Sequence, residues 1–325
     1  MYQMKRVFML LAVAALLGCA AARAESAPSG TVWTTRLTGH CATVEEGQEL
    51  MRGRRLFHEQ LNEKSLAFYL QKKGGTTEDY IEYSVRQVLP FTPEEEQRVA
   101  ETLDWLQQLL EKHGLKLPDP GTINFVKTTG KDTPGATGYT SEGTIFLGAE
   151  YYTQAGAPDD HFHLIVAHEL SHCLSRLFPE YRQALYSLIH FTVLDHDIDM
   201  PAEVFSQVIA NPDVEHHNSF ATFTINGEKK DCYLVCVTAN TFEKEGDTFL
   251  LDMHPGIVPM DGTTVYHPDE VPDFWQVVGR NTTYTIDPEE IMANNFAFAL
   301  MRLDEGYASF ANPEIMNGVI EYLKK

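Results

Sequence analysis

The chain has 325 residues, 43% of them hydrophobic, which is enough apolar material for one large domain or two smaller ones. Its 46 acidic side chains outnumber 25 Lys and Arg, giving a formal net charge of −21 at pH 7. Such a charge repels nucleic acid and anionic membrane surfaces, so we expect no nucleic-acid partner. The acidity is better explained by solubility, with a mild preference for cationic partners.

The first 24 residues predict an export signal. A positive start at Lys5 and Arg6 is followed by the apolar run "VFMLLAVAALLG" and by small residues around a cleavage site after Ala24. The letters "LLGC", ending at Cys19, also resemble the lipobox of bacterial lipoproteins. The alternatives are therefore cleavage after Ala24 or a lipid anchor on Cys19. Both place the mature protein outside the cytoplasm, as a periplasmic, secreted or surface-anchored protein, and the lipid would be its one link to a membrane.

Export would leave four cysteines in a compartment where disulfides persist. They are Cys41, Cys173, Cys232 and Cys236. The stretch "DCYLVCV" alternates like a strand, which would separate Cys232 from Cys236 by about 13 Å, beyond the reach of a disulfide. Free buried thiols are the default expectation, and the other pairings and the oligomeric state stay open.

Helix signals dominate residues 25–119, which we expect to form an N-terminal helical region. Capping boxes begin at Thr43 and Thr92, and Gly114 is a suitable helix end. Four apolar residues before this glycine recur at helical spacing and predict a core-facing helix. They are Val99, Leu103, Leu106 and Leu110.

A mixed pattern follows in residues 120–325, so the expected fold class is α+β. "TINFVKTT" and "YTSEGTIFLG" are strand-like, and Asn226-Gly227 between alternating runs predicts a hairpin. One helix is predicted from Asp160 to Phe178, and another after the Asp287-Pro288 cap. A short helix closes the chain. In the helix from Asp160, one apolar row is expected to face the core: Val166, Leu170, Leu174 and Leu177.

The helix from Asp160 contains the motif H-E-x-x-H, from His168 to His172. Histidines four residues apart on a helix project the same way and can bind one ion, while Glu169 leans toward the attacking water. The motif therefore predicts His168 and His172 as zinc ligands and Glu169 as the general base. The alternative is two histidines and a glutamate on a solvated helix face.

A catalytic zinc ion needs a third protein ligand beside one open position. Glu290 is the expected third ligand, because it shares a helical face with Asn294 that could meet the histidine helix. Glu289 is the second choice. Alternatively, Glu290 closes a capping box on the backbone of Asp287, three residues earlier.

The string HELSH, with a distant E-x-x-A-[DN] helix, resembles gluzincin-type zinc metallopeptidases. The resemblance implies a zincin-like fold for residues 120–325, with His168, His172 and Glu290 binding zinc and Glu169 as the base. It also implies that Asn294 orients a histidine ligand. Many such enzymes have Asp at that position, and an amide would raise the basicity of the histidine less than a carboxylate does.

Residues 138–305 are more closely similar to a little-characterised group of exported bacterial metallopeptidases, on the strings "LYSLIHF", "NPDVEHHN" and "DPEEIMANNFAF". This similarity supplies no substrate. We expect a peptide or protein substrate, hydrolysed by a zinc-activated water. The alternatives are a non-catalytic exported binding protein on a zincin scaffold and a zinc hydrolase of a cell-wall amide.

The residue that stabilises the oxyanion of the reaction is left open by the sequence, because several donors are available. Tyr284 and His217 are our candidates. The other donors are His216, His254, Tyr266 and His267.

Overall fold

The computed structural model describes residues 30–238 and 253–325. The predicted export signal, with Cys19 and Ala24, lies outside these residues. Val32–Lys325 form one compact unit. Among the described helices, none combines the length and apolar character needed to cross a membrane.

The described part of the chain contains short strands and helices of very different length. The helices are α1 (Val44–Arg52), α2 (Arg55–Glu59), α3 (Glu63–Leu70), α4 (Thr77–Val85), α5 (Pro93–His113), α6 (Asp159–Leu177), α7 (Pro179–Ser187), α8 (Ala202–Phe205), α9 (Phe274–Val278), α10 (Pro288–Met301) and α11 (Pro313–Leu323). The strands are β1 (Trp33–Thr34), β2 (Thr38–Cys41), β3 (Val88–Leu89), β4 (Leu117–Pro118), β5 (Thr122–Thr128), β6 (Gly138–Ser141), β7 (Thr144–Gly148), β8 (Thr192–Val193), β9 (Ser219–Ile225), β10 (Glu228–Thr238) and β11 (Met253–Pro259).

The strands form two larger sheets and one two-stranded pair. The main sheet has the order β2-β5-β7-β6, with β3 also paired to β5. Its strands β2, β5 and β7 are parallel, and β6 runs antiparallel to β7 at the edge. The second sheet is antiparallel, in the order β11-β10-β9-β8, and β1 pairs with β4. This mixture of helices and sheets confirms the α+β class.

Several local signals of the sequence are confirmed. Thr43 and Thr92 both begin helices with complete capping boxes, and Gly114 ends α5 in the left-handed conformation at φ 64°. Asn226 and Gly227 join β9 to β10 with φ of 51° and 86°, as a tight hairpin turn requires. Helix α10 begins at Pro288 with Asp287 as its cap.

Two expectations differ from the structure. The stretch "YTSEGTIFLG" is a hairpin rather than one strand, because Glu142, at φ 47°, and Gly143 turn the chain between β6 and β7. Leu177 is 39% exposed, although Val166, Leu170 and Leu174 of the same row are buried. The reason is that α6 ends at Leu177, so no further turn covers this side chain.

Residues on both sides of position 119 share one sheet and one core. Strand β2 pairs in parallel with β5, and α5 buries Leu103 and Leu106 in the same apolar cluster as Phe125 and Leu170. The four cysteines that follow the predicted signal carry free thiols, as expected, and Cys232 and Cys236 both lie on β10.

Helices α6 and α10 pack against each other near the centre of the unit. Eleven residues of α10, including Glu289 and Glu290, are buried. A helix that is buried on nearly every side must bring its polar groups to partners inside the protein. Those partners lie on α6.

Candidate metal centre and cleft

Three donor atoms converge between α6 and α10. The Nε2 atoms of His168 and His172 lie 3.0 Å apart, and Glu290 Oε2 lies 3.2 Å from the first and 3.5 Å from the second. Ligands about 2.0–2.1 Å from a tetrahedral zinc ion would be about 3.3–3.4 Å apart. The three separations bracket that spacing, so these donors fit one zinc-sized ion.

Glu290 is held with one oxygen free for this triangle. Its Oε1 accepts hydrogen bonds from Asn211 Nδ2 at 2.6 Å and from the Tyr284 hydroxyl at 3.5 Å. Its buried Oε2 has no other hydrogen-bond donor among the described residues and faces the histidines. The alternative capping role of Glu290 is not observed, since the cap of α10 is the Asp287 carboxylate accepting from the Glu289 N–H.

Glu289 orients His172 from the opposite side of the ring. Its Oε1 lies 3.0 Å from His172 Nδ1, so that nitrogen donates its proton and Nε2 keeps a lone pair. Ser175 Oγ donates to Oε2 of Glu289 at 2.8 Å, and the Tyr186 hydroxyl donates to the same oxygen. The Arg182 Nε lies 3.7 Å away. This carboxylate is therefore fixed on several sides.

The structure does not give Asn294 the role implied by the resemblance. Its Nδ2 donates to the Glu290 carbonyl of its own helix at 3.2 Å, and it lines the cleft rather than contacting a histidine. The rotation of α10 about its axis places Glu289, one residue before Glu290, against His172. Beside His172 the structure therefore has the carboxylate of Glu289, where the resemblance implied the amide of Asn294.

The electrostatics of the site favour positive charge between the two helices. Burial alone would lower the pKa of His172, but the carboxylates around it, Asp213 and Glu289 first, raise it well above its usual value. Burial raises the pKa of Glu290, yet its contacts with His168 and His172 outweigh burial and hold the pKa far below the usual range. A divalent cation bound between these side chains would supply that positive charge.

Glu169 lies beside the donor triangle, beneath strand β6. It is 4% exposed, and its buried Oε2 has no hydrogen-bond donor among the described residues. Burial, and then the nearby Asp213 carboxylate, raise its pKa well above the usual value. A Cβ at Gly138 would clash with Leu147 Cδ2 and lie 2.9 Å from the Phe146 carbonyl oxygen and 3.0 Å from Glu169 Oε1, so the packing of β6 against β7 and Glu169 requires a glycine here.

Asp213 is a buried carboxylate of the site that our reading of the sequence missed. Its Oδ1 accepts from the N–H and the hydroxyl of Thr140, at 2.8 and 2.7 Å. One oxygen of Asp213, one of Glu169 and a nitrogen of His172 lie within 4.8 Å of one another. This group cannot hold an ion together with the first one, because His172 has a single free nitrogen.

Helices α2 and α3 brace the segment that carries Asn211 and Asp213. Gln60 Nε2 donates to the carbonyls of Val214 and Glu215, both at 3.0 Å. The Tyr69 hydroxyl donates to the carbonyl of Ala210 at 2.6 Å. Among the described residues, none before Gly135 lines the cleft, so this helical region supports the site from behind.

A cleft of 710 Å³ opens onto the donor triangle. Several side chains on its walls carry hydrogen-bonding groups that could meet a substrate oxygen, among them Tyr284, His254 and His267. His254 Nδ1 donates to the Pro255 carbonyl, so its Nε2 is an acceptor, whereas His267 Nδ1 accepts from the Asp269 N–H, so its Nε2 is a donor. Of these three, His267 and Tyr284 are thus the donors, and Thr, Asn and Trp side chains of the lining offer others.

The structure does not bring His217 to the cleft. Its carbonyl accepts from the Ile198 N–H at 2.8 Å, and burial lowers the pKa of its ring to about 4. His216 pairs with Asp197 at 3.0 Å. The string "NPDVEHHN" therefore contributes to the site through its first half, Asn211 and Asp213, and not through its histidines. A buried Asn and Asp in a segment without periodicity give no sequence signal of their own.

Comparisons of the chain with protein-family profiles, with curated proteins and with solved structures gave no match.

Proposed function

We propose that this protein is a zinc-dependent metallopeptidase with a zincin-like catalytic region. The observation that carries the proposal is the triangle of His168 Nε2, His172 Nε2 and Glu290 Oε2, with edges of 3.0, 3.2 and 3.5 Å. Two imidazoles and one carboxylate form a donor set typical of catalytic zinc.

The surroundings of the donors support zinc as the ion. His172 presents Nε2 because its Nδ1–H donates to Glu289, and Glu290 presents Oε2 because Asn211 donates to its Oε1. Hard cations such as Ca²⁺ bind oxygen ligands instead. Zn²⁺ bound there would lower the pKa of the attacking water and polarise the scissile carbonyl.

Glu169 supplies the proton transfer of the proposed reaction. Its free Oε2 accepts a proton from the attacking water and later delivers it to the leaving nitrogen. We propose that the Tyr284 hydroxyl, turned away from its 3.5 Å contact with Glu290 Oε1, or the His267 Nε2–H donates to the developing oxyanion, since both side chains line the cleft.

A non-catalytic binding protein on the same scaffold is the alternative from another class. Glu169 argues against it, because a site that only holds an ion has no use for a buried carboxylate without a donor. A cell-wall amide would require the same zinc ligands and the same base as a peptide. The carboxylates of the cleft favour a substrate with a cationic group.

We also propose that the protein acts outside the cytoplasm. The support is the charged, apolar and small-residue pattern of the first 24 residues, ending either at Cys19 with a lipid or at Ala24 without one.

Metal analysis and peptidase profiling of the parent and of Glu169→Gln test this function together. We expect about one zinc per chain in both proteins and a fall of about 10²–10⁴-fold in kcat/KM in the variant, because only the base is lost. Equal activity of the two proteins, or a parent that binds zinc and hydrolyses no peptide, would contradict the proposal.

A further inference from the structure

Asp213 lines the cleft where strand β6 leaves it, and we call this part of the cleft, with Glu169, its closed end. Strand β6 lies at the edge of the main sheet, where an extended ligand could pair with it. Residues 135–138 line the cleft, but Thr140 does not, and its N–H is already taken by Asp213 Oδ1 at 2.8 Å. A peptide lying along β6 therefore cannot continue past Gly138.

The closed end carries more negative than positive charge. Arg176, behind it, pairs with Glu215 Oε2 at 3.2 Å and with Asp213 Oδ1 at 3.6 Å. The carboxylate of Glu169 lies within 4.8 Å of that of Asp213. Three carboxylates thus lie near one guanidinium and the His172 ring, and that guanidinium does not line the cleft.

Two oxygens at this end lack a partner. Glu169 Oε2 is buried and has no hydrogen-bond donor among the described residues, and the contacts of the Asp213 carboxylate with Thr140 and Arg176 all go to Oδ1, which leaves Oδ2 without one. The two residues are only 4% and 6% exposed and both line the cleft, whose described lining contains no Lys or Arg. Glu169 Oε2 is assigned to the attacking water, so Asp213 Oδ2 is the oxygen left for a cationic donor.

We propose that this closed end binds the free N-terminal ammonium of a peptide, which makes the protein an aminopeptidase; the inference rests on the proposed peptidase function. In an amino acid the nitrogen and the carbonyl carbon are about 2.5 Å apart. An ammonium held by Asp213 therefore brings the first carbonyl beside His172 and Glu290. Water then adds across the first peptide bond, giving one free amino acid and a peptide shorter by one residue.

Charge identifies which end of the substrate is bound. A peptide carboxyl terminus would meet the carboxylates of Asp213 and Glu169 and would find no cationic side chain among the described lining residues. The walls beyond the closed end carry the apolar side chains of Leu164, Ile165 and Trp275, which suit an apolar residue such as leucine.

The test compares a leucine-initiated peptide with its N-acetylated copy on the zinc-loaded full chain, with products identified by mass spectrometry. We expect stepwise release of the first residue from the free peptide. Acetylation should lower kcat/KM by at least about 100-fold, because it removes the charge that pairs with a buried carboxylate. Internal cleavage of the acetylated peptide at the rate of the free one would overturn the inference and leave the peptidase function standing.

The variant Asp213→Asn should reduce the preference for the free peptide, through a higher KM more than a lower kcat. Because Asp213 also caps Thr140, this variant could unfold, so binding to the parent gives a second readout. By calorimetry, L-leucinamide should bind at least 10-fold more tightly than N-acetyl-L-leucinamide, and equal binding would overturn the amine site. Preferential binding of L-leucinamide without hydrolysis of any peptide would reject the peptidase function and retain the amine site.

Discussion

At the residue scale, Glu289 contacts and orients His172, the role that the resemblance implied for Asn294. Its carboxylate fixes the Nδ1–H tautomer of His172 at 3.0 Å and is itself held by Ser175 at 2.8 Å. Burial raises the pKa of Glu289, but the hydrogen bond from His172 and the charge of Arg182 lower it to about 2. Glu289 is therefore ionised at any pH at which the proposed site binds zinc.

Replacing Glu289 should weaken zinc binding without removing a ligand. Glu289→Gln keeps the shape but loses the charge, and we expect zinc affinity to fall about 10–100-fold, as for other carboxylates that support histidine ligands. At saturating zinc, kcat should recover to within a few-fold of the parent. Competition with a chelating dye measures the affinity, and the exposed Glu305→Gln is the matched control. An unchanged zinc affinity would make Glu289 a packing residue only.

The limit of sequence reasoning at this scale is physical. A rotation of α10 by about 140° decides whether residue 289 or 294 meets His172, and helical spacing fixes the faces of a helix but not its rotation against a neighbour. His168, Glu169 and His172 could be predicted because one helical turn sets their relation. Asn211 and Asp213 could not, since they approach from an irregular segment.

At the element scale, α2 and α3 hold the segment that restrains Glu290. The bond from the Tyr69 hydroxyl to the Ala210 carbonyl is buried, and it lies next to Asn211. A buried carbonyl that loses its donor destabilises the fold by about 1–3 kcal/mol.

Tyr69→Phe should therefore lower the free energy of unfolding by about 1–3 kcal/mol and weaken zinc binding several-fold. Tyr83→Phe is the matched control, because its hydroxyl donates to the Lys131 carbonyl at 3.2 Å on the exposed surface. Urea unfolding with and without chelator measures both effects. If the two variants have equal stability and equal zinc affinity, the N-terminal helices do not brace the site.

Local signals explain why most elements were predictable and one strand was not. Caps at Thr43, Thr92 and Asp287 depend on residues three or fewer positions away, so they can be recognised directly in the sequence. The turn at Glu142-Gly143 has a weaker signal, because glutamate rarely adopts positive φ. Missing that turn hid β6, the strand that borders the cleft.

At the scale of the whole molecule, buried histidines make stability depend on pH. His58 is 8% exposed, and burial, followed by the charge of Arg54, lowers its pKa to about 4. The unfolded chain has a histidine pKa of about 6.5, so it binds the proton more readily than the folded chain does. The contribution of neutral His58 to the free energy of unfolding is thus complete above pH 6.5. It is lost as the pH falls toward 4, by at most about 3 kcal/mol.

His58→Gln removes this titration. We expect the unfolding free energy of the variant to depend less steeply on pH between 6.5 and 4 than that of the parent, by up to about 1.4 kcal/mol per pH unit. Urea midpoints at several pH values give the comparison, and His196→Gln, on an exposed histidine, should match the parent. Parallel curves for the parent and His58→Gln would show that His58 titrates normally.

The central claim is that Glu290 and two histidines of another helix bind one ion. The decisive measurement is the zinc stoichiometry and dissociation constant of the parent and of Glu290→Gln, by competition with a chelating dye, with Glu305→Gln as control. We predict about one zinc per chain in the parent and a loss of at least about 100-fold in affinity in Glu290→Gln, because the amide is a much weaker zinc ligand than the carboxylate. Equal zinc affinity of the parent and Glu290→Gln would contradict the account.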